Sequence, residues 1–425
     1  MHSTSFEKVL QQRVFSLFTR DEVEALAVLS GYTQRRDRGI PPFEFALSCM
    51  LAATSEAKRS FATVWRFLLA AFDVDVARSA VTQRFDKGSA DLMETLFLLA
   101  VERIQTPDHP QVLGKLKEFK EVLAHDGSVI KLAGVLSKLC PATRTNSVAA
   151  AGKVHATVDV VHRRIRAVVV TGERESELAV AKREGIQQGA LYLNDLGYFE
   201  HDYFEAIQKG EAHVLSRLKQ NSNPVVTRVR HGVIAPVRSV GMKLNDLSFC
   251  RTQDTFDLDA RFKTSTGTVE LRVVGRYNPE TQKYHCYVTT LNAAQFSVEE
   301  LVILYTLRWA IELFFKLMKS SMHLDHVATG SADAVRTHLY SSLLAAVVLS
   351  AVTDSAAKAA GMPTSRISPL VVGMAAPVLA VPLALLWLGK AITNSTLAAL
   401  ILRTISLGCA DQNVNRTQEY WGLLS

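Results

Sequence analysis

The chain has 425 residues, 48% of them hydrophobic and 21% charged, which excludes a disordered or fibrous protein and leaves room for several domains or one large core with insertions. Lys and Arg number 48 against 41 Asp and Glu; the formal charge of +7 and a sequence pI near 9.1 favour a polyanionic partner. Five scattered cysteines (Cys49, Cys140, Cys250, Cys286, Cys409) form no CxxC or Cys/His cluster, which argues against a disulfide framework or zinc site and fits a reducing compartment.

The opening MHSTSFEKVLQQRVF lacks the apolar core of a secretory signal. Residues 1–118 are predicted helical. Val23, Leu26 and Ala27 begin one apolar stripe, and Phe43, Ala46, Met50 and Leu51 begin another. Phe61, Val64, Trp65 and Leu68 extend the pattern after Lys58-Arg59. From Ser60 to Phe85 the chain reads as helix, break at Phe72-Asp73-Val74-Asp75, then a second helix with Arg78, Ser79, Thr82, Gln83 and Arg84. This pattern suits a DNA-binding helix-turn-helix and equally a plain pair of bundled helices.

Residues 119–220 change texture. Glu121–Leu132 is a predicted strand around Asp126, followed by a hairpin from Val154–Val161 and Ile165–Thr171. A helix over Ser176–Glu184, a strand over Ala190–Asp195, a helix over Asp202–Lys209 and a strand over Ala212–Leu218 complete the order β-β-β-α-β-α-β. The expected class is α/β with an antiparallel edge. Residues 221–297 read as a β-rich insertion with strands at Val225–Arg230, Val269–Gly275 and Tyr284–Thr290. A helix over 298–320, within a segment 298–330, should return to pack on the sheet, and 331–425 is again helical. Ile367–Gly389 carries no charge and is long enough to span a bilayer, but Pro369, Pro377 and Pro382 are expected to break it into buried pieces.

The helix over 298–320 carries the strongest chemical signal. Tyr305, Arg308, Glu312 and Lys319 stand at i, i+3, i+7 and i+14, within an arc of about 60° on one side. Ile303, Leu307, Ile311, Phe314, Leu317 and Met318 cover most of the remaining surface, so the helix should be buried and its polar stripe paired or bound. One carboxylate among several cations suits a metal ion and gripped phosphates, although exposed helices often carry the same mixture. Asp126 within one strand and Asp195 at the end of another add two carboxylates to the same sheet. With Glu312 they form an all-oxygen set of the kind that hard Mg²⁺ or Mn²⁺ prefers. His125, beside Asp126, should point to the opposite face of the strand. Lys131, Arg163, Arg164 and Arg166, with Arg228, Arg230 and Arg238 in the insertion, are candidate contacts to a phosphate backbone, each also explicable as a solvated surface charge.

The spacing Y-x2-R-x3-E-x6-K at Tyr305, Arg308, Glu312 and Lys319 resembles the YREK motif of one group (IS-four-type) of bacterial DDE insertion-sequence transposases. Asp126-Gly127-Ser128 and the Asp-x-Gly-Tyr-Phe at 195–199 resemble that group's two aspartate motifs. The resemblance spans most of the chain and implies a ribonuclease-H-like core interrupted by the β-rich insertion and flanked by helical regions. Residues 1–118 would bind DNA, and 331–425 is a candidate dimerisation region. Asp126, Asp195 and Glu312 would hold two Mg²⁺ or Mn²⁺ ions for cleavage at transposon ends and strand transfer into target DNA. Tyr305, Arg308 and Lys319 would hold phosphates. The implied partners are terminal inverted repeats, target DNA and a second protomer, in the cytoplasm at the nucleoid, with no membrane. Relatives use a tryptophan of the insertion as a stacking surface; residues 196–304 contain none, and Trp309 beside the motif could equally be core. A nuclease or resolvase that cuts without joining, and a non-catalytic DNA-binding relative, are the alternatives.

Overall fold

The computed structural model describes residues 2–33, 39–55, 60–103, 114–138, 140–143, 148–161, 164–249, 253–279, 282–308, 311–312, 315, 326–327, 329–362, 366–389 and 394–410. Six helices come first: α1 (His2–Arg13), α2 (Arg20–Leu29), α3 (Pro42–Thr54), α4 (Phe61–Phe72), α5 (Arg78–Gln83) and α6 (Lys87–Arg103). Local signals set their ends. Thr19 and Glu22 form a capping box before α2, and the Ser60 side chain accepts from the Thr63 N–H to open α4. Every residue of α3 from Phe43 to Thr54 is buried, so it runs through the middle of the bundle. The short α5 leaves Arg78, Ser79, Thr82 and Gln83 exposed, while the Arg84 that follows donates to the Tyr32 carbonyl at 2.7 Å.

The order predicted for the centre is the one observed: β1 (Glu121–Leu132), β2 (Ala150–Asp159), β3 (Arg164–Gly172), α7 (Glu177–Glu184), β4 (Ala190–Asn194), α8 (His201–Lys209) and β5 (His213–Arg217). β1 pairs antiparallel with β2 and parallel with β4; β4 pairs parallel with β5. A mixed sheet covered by helices on both faces is the ribonuclease-H-like α/β class. β2, which lies between β1 and β3, is buried along its whole length.

The insertion does not form a separate layer. β6 (Val225–His231), α9 (Pro236–Ser239), β7 (Thr255–Lys263), β8 (Thr268–Asn278) and β9 (Lys283–Thr289) follow, and β9 pairs antiparallel with β5. The sheet order is therefore β3-β2-β1-β4-β5-β9-β8-β7-β6, with the short β10 (His326–Val327) added in parallel to the far end of β1. β7 was not expected from the sequence, because Asp257 and Asp259 interrupt its apolar alternation. Arg272 and Arg230 neutralise those carboxylates from the neighbouring strands.

The returning helix also differs from expectation. α10 spans only Val298–Thr306, opened by a Ser297–Glu300 capping box. The next backbone bonds run Leu307 N–H to Leu304, Arg308 N–H to Tyr305 and Ile311 N–H to Arg308, tightened i→i+3 turns in place of the α-helical pattern. Ile311, Glu312 and Phe315 are helical again. Trp309, Phe314, Leu317, Met318 and Lys319 lie outside the described residues.

Three further helices close the bundle: α11 (Ala332–Ala359), α12 (Pro369–Trp387) and α13 (Asn394–Arg403). α11 is long and apolar enough to cross a membrane by length and composition, yet 89% of its most apolar window is buried by α1, α3, α6 and their neighbours. Ser89 on α6 meets Thr337 on α11 at 3.0 Å, and Tyr340 donates to Glu94 at 2.7 Å. Pro377 and Pro382 do not break α12 as expected; both lie inside one helix. Each removes one N–H from the ladder, and the packing of Val372, Ala376, Leu379, Leu383 and Leu386 holds the helix together. One apolar core joins this bundle to one face of the sheet and to α10. A second lies on the opposite face under α7, α8 and the insertion.

Candidate active site

Asp126 lies midway along β1. Side chains alternate along a strand, and Val122, Ala124 and Ile130, which share its side, belong to the core that includes Tyr305 of α10. β1 and β4 are in register at Ala124 and Leu193, so continuing two residues sets Asp126 level with Asp195 on the neighbouring strand. Adjacent strands are about 4.8 Å apart. Carried on past the last paired residues, that register would bring the two aspartates, 69 positions apart in the sequence, to neighbouring positions.

α10 brings the third group. The Tyr305 hydroxyl is buried and donates to the Asn194 carbonyl at 3.2 Å, which ties the helix to the residue before Asp195. One turn on, the Arg308 side chain is 11% exposed and its guanidinium bonds the Glu312 carboxylate, itself 42% exposed. Arg308 also faces the Tyr305 ring at 5.7 Å. Burial works against its charge, but Tyr305, Glu312 and Asp195 outweigh burial and raise its proton affinity. Its Nε is buried and has no hydrogen-bond partner among the described residues.

Burial raises the Asp126 carboxyl to about 6; Glu177 and Glu312 push it further up, while the Gly127 N–H and Arg308 pull it down. Arg308 therefore acts electrostatically on all three acids. Among the described residues, no three His, Cys, Asp or Glu side chains form a closed metal cage. The Arg308–Glu312 bond occupies one of the carboxylates. The donor set still fits a hard divalent ion, being all oxygen and carrying more negative charge than Arg308 neutralises. A cation would relieve the repulsion that raises Asp126.

Residues 117–348, more than half of the chain, match the family model described as a transposase DDE domain. The chain belongs to the DDE transposases. It is 22% identical to the transposase for insertion sequence element IS231F of Bacillus thuringiensis subsp. israelensis, with 80% of each chain covered. With the transposase for IS231B of Bacillus thuringiensis subsp. berliner it shares 20% identity, over 77% of this chain and 76% of the relative. A putative transposase, y4zB, of Sinorhizobium fredii is 25% identical over 50% of this chain and 57% of its own.

In this transposase His125 does turn to the other face of β1, as strand alternation predicts. Its ring stacks on Tyr192 at 5.5 Å and 4°, and Nδ1 shares a hydrogen bond with Thr157 Oγ1. Burial lowers its pKa to about 4, which keeps the ring neutral. Arg230 and Arg166, two of the candidate phosphate contacts, are engaged internally by Asp257 and Asp259 and by Glu121. Lys131, Arg228 and Arg238 are exposed. Arg163 and Lys319 lie outside the described residues, as does the side chain of Arg164.

Sequence reasoning missed Glu177 and Lys153. The Glu177 carboxylate is the nearest-acting negative charge on Asp126, and the buried Lys153 Nζ lies 3.3 Å from its Oε1. A lysine within a strand that is buried along its whole length is the feature concerned.

Proposed function

We propose that the transposase cuts at the ends of its element and joins the freed 3′-hydroxyl to target DNA at a two-metal centre built from Asp126, Asp195 and Glu312. What supports this reading is the β1–β4 register, which carried two residues on sets Asp126 level with Asp195, together with the electrostatic relation of Arg308 to Asp126, Asp195 and Glu312. Magnesium or manganese bound there would activate the attacking oxygen and stabilise the leaving one. Asp126 and Asp195 would hold the ions from the sheet, and Glu312 would join them by exchanging its bond to Arg308.

Released from Glu312, the Arg308 guanidinium can turn to a phosphate, and its Nε, without a partner among the described residues, supplies a further donor. Tyr305, spent on Asn194, fixes α10 against β4, so that Arg308 and Glu312 approach the strand ends at one height. Lys319 would extend the grip along the backbone. Terminal inverted repeats and target DNA are the proposed substrates, with two protomers pairing the ends in the cytoplasm, at the nucleoid. Exposed Arg78, Ser79, Thr82 and Gln83 on α5 offer one contact to the duplex.

The test uses labelled terminal repeats, a target plasmid and Mg²⁺. Asp126→Asn, Asp195→Asn and Glu312→Gln should each keep end binding and lose cleavage and joining by at least about a hundredfold. Cleavage that survives any one of them removes that residue from the centre. Cutting without joined product would make the chain a nuclease.

A further inference from the structure

Two glycines near the aspartates open onto the same side chain. A Cβ on Gly127, the residue after Asp126, would stand 2.8 Å from Glu177 Oε1. A Cβ on Gly197, two residues after Asp195, would stand 3.2 Å from Glu177 Oε2. Any larger residue at Gly127 would displace the carboxylate, since a contact under 3 Å is closer than side chains tolerate. Gly127 within β1 and Gly197 in the turn after β4 thus leave space for one acid at the first turn of α7.

Lys153 holds that acid in place. It sits on β2 opposite Val129, with its side chain 7% exposed, and its Nζ reaches both Glu177 Oε1 and the Glu175 carbonyl at 3.3 Å. A buried ammonium requires such partners. A second feature on this side of the sheet calls for a ligand. Asn194 is fully buried, and among the described residues neither its Oδ1 nor its Nδ2 has a hydrogen-bond partner. Strand alternation turns its amide to the face of Tyr192 and His125, the face on which α7 lies. A buried amide without a described partner, on the face that carries α7, suits an ordered water.

We propose that Glu177, positioned by Lys153 in the space left by Gly127 and Gly197, is a fourth acidic residue of the catalytic centre that strengthens divalent-ion binding through the ion's water shell. This rests on Asp126 and Asp195 being the metal-binding pair. Glu177 is a positioning residue: it acts on the ion through water and adds negative charge on the side of the sheet away from Arg308. Asn194 supplies a polar anchor for the same water.

The test is calorimetric titration of Mn²⁺ into the full chain, without DNA. Glu177→Gln keeps the shape and leaves Lys153 bonded to the Glu175 carbonyl; it should weaken Mn²⁺ binding roughly tenfold. Glu177→Asp, which keeps the charge, should restore most of the affinity. In the cleavage assay, the Mg²⁺ concentration for half-maximal rate should rise in Glu177→Gln by a similar factor. Thermal unfolding of each variant without metal reports folding separately. Wild-type Mn²⁺ affinity in Glu177→Gln, alongside weakened affinity in Asp126→Asn, overturns the role of Glu177 alone. Unchanged affinity in Asp126→Asn as well overturns the site itself.

Discussion

Two aspartates in one sheet are treated in opposite ways. Asp257 on β7 is buried, and its oxygens receive Arg272 Nε at 3.0 Å, Arg272 Nη2 at 2.8 Å and Arg230 Nη1 at 3.2 Å. Arg272 also donates to the carbonyl of Phe296 at 2.8 Å, which secures the segment leading into α10. Among the described residues Asp126 on β1 accepts one hydrogen bond, from the Gly127 N–H at 2.8 Å, and it feels the carboxylates of Glu177 and Glu312 against the single cation Arg308. A carboxylate surrounded by donors stabilises the fold it sits in. One left short of donors costs stability and remains available to a ligand. The contrast sets Asp257 apart as a structural acid from Asp126, the acid that the proposed centre would use.

The largest effect should come from breaking the satisfied pair. Asp257→Ala leaves Arg272 buried and uncompensated and should lower stability by about 3–5 kcal/mol in urea denaturation. Asp126→Asn should leave stability unchanged or raise it, because it removes a repelled charge. Comparable losses from both substitutions would break the contrast.

Acid should bear next on the buried histidines. Burial depresses His125 and His155 to about 4, and His155 gives Nε2 to a bond with Thr171 Oγ1 at 2.9 Å. Unfolded, both titrate near 6.5, so between that pH and about 4 the folded state binds fewer protons. Their contribution to stability is complete above pH 6.5 and is lost as pH falls toward 4. In denaturation curves taken across that window, the acid sensitivity should shrink in His125→Asn and His155→Gln.

The smallest effect belongs to the surface. Arg103 bonds Glu22 at 2.6 Å and lowers its carboxyl to about 2, but both side chains are more than a third exposed. Solvent screening should hold the loss in Arg103→Ala to roughly 0.5 kcal/mol. A loss matching that of Asp257→Ala would mean that burial is not what distinguishes these pairs.

The same physics explains what could be read in the sequence. β1 was legible to its bounds at Glu121 and Leu132, and the order through β5 followed from local apolar pattern and turn signals. β7 was hidden because Asp257 and Asp259 are poor strand residues when considered locally; their partners Arg230 and Arg272 sit on the flanking strands β6 and β8. The polar spacing from Tyr305 to Glu312 was visible, but the tightened turn at Leu307–Arg308 was not, since nothing in the local residues forbids a continuous helix. Glu177 gave no local sign because its place exists only when Gly127 on β1 and Gly197 in the turn after β4 face one helix.

The central claim is that the three acids close around divalent ions. Structure determination of the transposase on its terminal repeats with Mn²⁺, using anomalous scattering to locate the metal, tests it most directly. Manganese peaks bonded by Asp126 and Asp195, with Glu312 moved from Arg308 onto the metal and Arg308 on a phosphate, are the predicted result. Manganese bound away from these carboxylates, with Glu312 still on Arg308 beside the DNA, would contradict it.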